Sequence, residues 1–157
     1  MPLLPANSEI DIRAATSSDL EKIVHMLWDD PVGRTRESIQ PEHQLLYANA
    51  FSKIDDGNNT LLVAIKGGRL IGFVQLTIIT SLSYRGSSRG LIEDLRVAQE
   101  LRGRGIGSLL MDRAEAIARA KGCTLMELFA HNDRDGAHRF YQRRGYVGAH
   151  RGFRKTL

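Results

Sequence analysis

Between Gly90 and Lys121 the chain reads GLIEDLRVAQELRGRGIGSLLMDRAEAIARAK, and this stretch limits the fold more than any other. Leu91 to Val97 is a short apolar run with strand character. Ile106, Leu109, Leu110, Ala114, Ile117 and Ala118 then recur at helical spacing, and Gly122 stops the helix. Between strand and helix lies Arg102-Gly103-Arg104-Gly105-Ile106-Gly107. Glycine lets backbone N–H groups crowd against a ligand, and a helix N-terminus adds unpaired donors and partial positive charge. The backbone from Gly103 to Ser108, with Arg102 and Arg104 beside it, therefore reads as a phosphate or pyrophosphate cradle.

The flanking segments supply a sheet. Ser8 to Ala14 alternates as a first strand, and Thr16 to Glu21 carries two overlapping capping boxes. A helix follows with Leu20, Ile23, Val24 and Leu27 on one face. Arg34 to Pro41 is a polar, poorly patterned loop, and a second helix from about Pro41 to Ile54 has Leu45, Leu46, Ala48 and Phe51 as its stripe. Asp55 to Asn59 is a loop. Two apolar, β-branched runs, Thr60 to Lys66 and Arg69 to Thr80, are joined by Gly67-Gly68, a hairpin signal. Ser81 to Arg89 is a loop, Thr124 to Ala130 a strand and Gly136 to Arg144 a short helix. Tyr146 to His150 and Phe153 to Leu157 fit a closing hairpin. With no repeat or linker, residues 1–157 read as a single α/β domain: a mixed, mostly antiparallel sheet (α+β in character) flanked by about four helices.

Composition narrows the class. The chain has 157 residues, 25% of them charged, and a net charge of +4. No apolar run approaches the roughly 18 residues of a membrane span. The opening MPLLPANSE lacks a basic n-region followed by an apolar one, so no secretion signal is expected. A single cysteine, Cys123, leaves no intrachain disulfide and fits a reducing cytoplasm. From Arg134 onward the chain is basic, which is compatible with a solvated face, a cleft for a polyanionic cofactor, or nucleic acid.

Two familiar phosphate motifs fail. Gly-x4-Gly-Lys-Ser/Thr is absent. A dinucleotide fingerprint needs Gly-x-Gly-x-x-Gly in the first βαβ unit, whereas here Ser108 stands where the third glycine would be and three strands come first. What remains is Arg/Gln-x-x-Gly-x-Gly, present as Arg102-Gly-Arg-Gly105-Ile-Gly107. With Ala137-His-Arg-Phe140-Tyr141-Gln-Arg-Arg-Gly145-Tyr146 further on, the sequence resembles the Gcn5-related N-acetyltransferase family over nearly its whole length. The tail through His150 is similar to bacterial small-molecule acetyltransferases, including the aminoalkylphosphonate N-acetyltransferases.

The resemblance implies acetyl-CoA as cosubstrate, held by the turn and by strand residues Leu95, Arg96 and Val97. Backbone groups of Leu95 and Val97 would pair with the pantetheine arm, and a nearby N–H would polarise the thioester carbonyl. It also implies that Tyr141 protonates the departing thiolate. Asn132 is the candidate for a pantetheine hydrogen bond. Where the family often has an asparagine, seven residues before the tyrosine, this chain has Arg134, a candidate phosphate ligand instead.

An alkylamine has a pKa near 10.4, so acetyl transfer at neutral pH needs a base. Glu93 is the candidate and Asp94 the alternative. Glu93 has the parity of Leu91, Leu95 and Val97, so either a β-bulge re-aims it or it is desolvated on an apolar face. Cys123 reads as a core residue, His138 and His150 as ordinary histidines, and no metal site is expected. The acceptor pocket is expected from the first two helices, the Arg34–Pro41 loop and the Ser81–Arg89 loop. Arginines 34, 36, 85 and 89 would favour an acceptor with a carboxylate or phosphonate. The expectation is a cytoplasmic N-acetyltransferase acting on a small-molecule primary amine by direct attack in a ternary complex, with no membrane or nucleic-acid partner and with a homodimer through the last strands as the compatible assembly. The alternatives are a protein lysine or N-terminal acetyltransferase, and a non-catalytic acetyl-CoA-sensing or nucleic-acid-binding module.

Overall fold

A computed structural model describes residues 9–54 and 57–157. Ser8, the opening segment before it, and Asp55-Asp56 in the expected loop lie outside the described residues. Five strands form one sheet in the order β1-β2-β3-β4-β5: β1 (Ile10–Ala14), β2 (Asn59–Lys66), β3 (Arg69–Thr80), β4 (Ser88–Val97) and β5 (Cys123–Leu128). The first four pair antiparallel, and β5 joins through a helical crossover, so the sheet is mixed but mostly antiparallel. The helices are α1 (Leu20–Trp28), α2 (Gln44–Ile54), α3 (Ile106–Ala120) and α4 (Asp135–Arg143). By contacts the chain divides into two compact units, one running to Glu127 and the other Leu128–Leu157.

In the first unit β2 and β3 sit centrally, and helices cover both faces of the sheet. That explains their unbroken apolar runs. Lys66 pairs with Arg69 across a two-residue turn whose glycines, Gly67 (φ 56°) and Gly68 (φ 74°), supply the left-handed conformations the turn requires. On one face Ile23 of α1 packs with Leu61, Val63, Leu70 and Phe73, and Phe51 and Ile54 of α2 close over them. On the other face α3 buries Ile106, Leu110, Met111, Ala114 and Ala118. The stripe expected in α3 is thus corrected at two positions: Met111 is fully buried and Leu109 is exposed. In α2 the correction is larger, since Leu45 and Leu46 are both exposed. Only the side of α2 bearing Phe51 and Ile54 meets the sheet.

The first helix is anchored by a buried carboxylate. Asp19 accepts from the backbone N–H of Thr16 at 2.8 Å and from Arg13 Nη1 at 2.7 Å and Nη2 at 3.1 Å. The hydrogen bonds from Arg13 hold the Asp19 carboxyl below its usual range, against the opposing effect of burial. A depressed folded-state pKa gives stability above the unfolded pKa, lost as pH falls through the folded value. Asp19→Asn is expected to cost about 1–2 kcal/mol at pH 7, a figure reduced because Arg13 remains partly exposed. In thermal unfolding from pH 7 down through the carboxylate range, the gap between wild type and variant should shrink.

Segments expected as loops proved more ordered or differently shaped. After α1, Gly33–Thr35 forms a 3-10 turn. Tyr47 Oη donates to Glu37 Oε2 at 2.8 Å and accepts from the Ser38 N–H at 3.0 Å, so α2 braces the α1–α2 connection. Strand β4 begins at Ser88, three residues earlier than expected, after a turn in which Tyr84 and Arg85 are left-handed (φ 53° and 60°). In the second unit, residues 145–157 carry no regular secondary structure, so the expected closing hairpin is not formed within the chain.

Candidate active site

The register of β3 against β4 resolves the parity conflict at Glu93. Gln75 pairs with Glu93 and Phe73 with Arg96, so β4 spends two residues, Asp94 and Leu95, where β3 spends only Val74. Asp94 takes a left-handed conformation (φ 55°), tolerable for an aspartate, and this is a β-bulge. One inserted residue swaps the faces beyond it. Leu95 and Val97 therefore fall on the α3 side with Ile92, while Leu91, Glu93 and Arg96 point to the side covered by α1 and α2. The expectation that Leu91, Glu93, Leu95 and Val97 share one apolar face is corrected: Glu93 is exposed, and Ile92 is the buried residue beside it. Of the two expectations for Glu93, the bulge is present, but it re-aims Leu95 and Val97 and leaves Glu93 exposed on the face of Leu91.

Beyond Val97 the strand enters the turn. The 3-10 segment Gln99–Leu101 leads to Arg102, Gly103 (φ 75°) and Arg104, and Gly105 (φ 82°) is the N-cap of α3. Both glycines occupy backbone space that side chains rarely adopt. A Cβ built on either meets nothing within 4 Å. Arg102, Gly103, Arg104 and Gly105 are solvent-exposed, and Gly107 and Ser108 half-exposed. The N–H groups of Ile106, Gly107 and Ser108 open the helix and have no carbonyl one turn back to bond. Donors, positive charge and solvent exposure coincide, which fits a pyrophosphate.

Helix α3 can lie this close to the sheet because of Gly72 and Gly90. A Cβ at Gly72 would stand 2.9 Å from Arg96 O and 3.1 Å from Leu110 Cδ1. One at Gly90 would stand 2.6 Å from Met126 Sδ and 3.2 Å from Ala118 Cβ. These glycines seat the two ends of α3, and the first fixes where the turn projects. Sequence reasoning missed both, since a glycine inside a strand shows its neighbours only after folding.

The second unit holds Asn132, Arg134 and Tyr141. Asn132 is exposed in the loop before α4, and Arg134 is the N-cap residue of that helix. Tyr141 is half-buried, with edge-on ring contacts to Phe140 at 5.2 Å and Tyr146 at 5.9 Å. His138 Nε2 lies 2.9 Å from His131 O. Among the described residues no group of three His, Cys, Asp or Glu is placed to hold a metal ion. Burial pushes the Cys123 thiol up, with Lys121 opposing, the reverse of what a nucleophile needs.

The four arginines expected at the acceptor separate. Arg34 stacks over Trp28 at 4.6 Å and pairs with Asp29, and Arg36 pairs with Glu37, all within the α1–α2 connection. Arg89 precedes Glu93 by four strand residues, about 13 Å, and pairs with Glu127 at 2.9 Å. Arg85 lies in the turn that precedes β4.

Comparison with known proteins agrees with this geometry. The model of the acetyltransferase (GNAT) family matches residues 20–146, and the chain belongs to that family. It is an acetyl-CoA-dependent acetyltransferase. The aminoalkylphosphonate N-acetyltransferase of Salmonella typhimurium is 29% identical over 147 residues, covering 94% of this chain and 91% of that one. A solved structure from Bacillus halodurans, described as a transcriptional regulator, is 40% identical, with a TM-score of 0.91 over 95% of this chain and all of that one. A Trypanosoma brucei acetyltransferase, 24% identical, shares the fold with a TM-score of 0.78 over 95% of this chain and all of that one.

Proposed function

We propose that this protein, as one catalytic domain over residues 1–157, transfers the acetyl group of acetyl-CoA to the primary amine of a small molecule by direct attack in a ternary complex. One observation supports the reading: the bulge at Asp94 puts Leu95 and Val97 on the face opposite Glu93, whose carboxylate is exposed, on the same strand that runs into the glycine turn. Acetyl-CoA supplies the activated acyl group. The backbone from Gly103 to Ser108, with Arg102 and Arg104, holds the pyrophosphate, and the β4 backbone at Leu95, Arg96 and Val97 aligns the pantetheine arm. Glu93 takes the ammonium proton, directly or through water. Tyr141 returns a proton to the thiolate, and Asn132 and Arg134 bind the cosubstrate. The compartment we propose is a reducing cytoplasm, and the assembly a homodimer.

For the acceptor we propose an amine that also carries an acidic group. The similar Salmonella protein is named for aminoalkylphosphonates, and Arg34 and Arg36 lie in the connection between the helices that cover Glu93's side of the sheet. A second reading, an acetyl-CoA-sensing or nucleic-acid-binding module, is favoured by the description of the Bacillus halodurans structure as a transcriptional regulator. Thiol release from acetyl-CoA decides between them when followed over aminoalkylphosphonates, amino acids, plain alkylamines and lysine peptides. Turnover highest with the amino acids or phosphonates is expected, and preference for peptides would instead mean a protein acetyltransferase. Stabilisation by acetyl-CoA without turnover on any amine would leave the sensor; at a hundred times Kd that stabilisation is about 2.7 kcal/mol.

A further inference from the structure

Strand β4 brings a cation to the face of Glu93, and acetyl transfer as described gives its side chain no task. Arg96 pairs with Phe73 and Glu93 with Gln75, and residues paired across an antiparallel ladder point to one face. Phe73 and Gln75 are alternate residues of β3, so Glu93 and Arg96 stand about 7 Å apart along the sheet. In a regular strand, residues three positions apart lie on opposite faces. The bulge at Asp94 is therefore what puts this guanidinium beside this carboxylate.

The two positions differ in cover. Phe73 is 1% exposed beneath α1 and α2, and the Arg96 side chain 14%, whereas Gln75 is half-buried and Glu93 exposed. Arg96 thus stands at the rim where the apolar core gives way to the open part of the face. A guanidinium there is poorly hydrated, and an anion brought to it gains more than in open water. Arg96 Nη1 donates to Leu95 O at 3.1 Å, and Nη2 lies 3.9 Å from Asp94 Oδ1, a long ion pair. Arg34 and Arg36 are held closer to their carboxylates, Asp29 at 3.2 Å and Glu37 at 3.0 Å, with side chains 57% and 43% exposed. Pairs in that setting contribute little.

We infer that Arg96 determines specificity for the acidic group of the acceptor, its guanidinium pairing with the carboxylate or phosphonate while the amine lies at Glu93. This rests on the reading of the acceptor as an amine that carries an acid, and it names the residue that selects it. A short aminoalkyl acid, at about 1.5 Å per bond, separates its charged ends by a distance comparable to the spacing of the two residues. Asp94 competes for the guanidinium, but its side chain is 41% exposed and its contact long, so a bidentate acid displaces it.

The test compares kcat/KM for aminopropylphosphonate, aminobutyrate and butylamine at saturating acetyl-CoA. In the wild type the two acids should exceed butylamine, and Arg96→Gln should cut that preference about 10–100-fold. The loss should fall on the KM of the acids, because the guanidinium binds ground state and transition state alike. Arg96→Lys keeps the charge without the two-pronged donor, so its preference should lie between the other two. Arg34→Gln/Arg36→Gln should lower the preference less than Arg96→Gln. A preference undiminished in the folded Arg96 variants overturns this inference while the acidic acceptor stands. So does an equal fall on all three amines, which would make Arg96 a support of the bulge. A wild type that favours butylamine overturns both, and one that acetylates none of the three overturns acetyl transfer to small amines as well.

Discussion

Replacing Glu93 by glutamine is expected to lower kcat about 10²–10³-fold while leaving the KM for acetyl-CoA nearly unchanged. The amide keeps the shape and the bulge but cannot accept the ammonium proton. The contacts proposed for the cosubstrate on this strand and turn are mostly backbone, so they should survive. The pH profile of thiol release separates this from a merely structural defect. As pH rises towards the pKa of the amine, about 10.4 for an alkylamine, more acceptor is already neutral and the deficit should narrow. A structural defect would persist at every pH. Asp94→Asn is the control: a loss there with none at Glu93 would move the base to the bulged residue, whose conformation is the left-handed one.

The second large effect concerns the scaffold. Gly72→Ala is expected to destabilise by about 1–3 kcal/mol, as overpacking of a close-packed interior does. At this chain length that is a fall in Tm of roughly 3–10 °C. The added methyl would press on the Arg96 carbonyl of the neighbouring strand and on Leu110 of α3, and neither can leave without opening the strand pair or lifting the helix. Gly90→Ala meets a shorter approach, but the first obstacle is the Met126 thioether, a flexible side chain that can swing aside. Its cost should be the smaller of the two. Parallel thermal unfolding of both variants checks the ranking. Gly72→Ala should also raise the KM for acetyl-CoA, since displacement of the α3 start moves the turn, and Gly90→Ala should not.

Much of the architecture could be read in order along the chain. The hairpin at Gly67-Gly68, the strand before the turn and the helix after it follow from apolar spacing and from glycines at positions of positive φ. The Arg102–Gly107 turn was legible because its chemistry is local: consecutive glycines, two arginines and a helix start need no distant partner to be recognised. The second helix was not. Leu45, Leu46, Ala48 and Phe51 fit a helical stripe, yet the sheet meets only the Phe51 and Ile54 side. Spacing defines a stripe, but where the sheet lies selects which part of it is covered. The tail misled for a related reason. Val147 and Phe153 have strand-forming character, and a strand needs an edge that this segment does not find within the chain.

What the sequence by itself determined was the order of elements, the glycine turn and the candidacy of Glu93, because residue type and short-range spacing carry that information, while Asn132, Arg134 and Tyr141 became candidates through the family resemblance. The direction in which Glu93 points was open until β4 was paired with β3. A bulge is a mismatch of count between two strands, and neither strand contains it alone. The roles of Gly72 and Gly90 were likewise decided only by the approach of α3, and the pairing of Arg89 with Glu127 only by the meeting of β4 with β5. Each of these is a relation between segments distant in sequence, fixed when burial of the apolar faces brings them together.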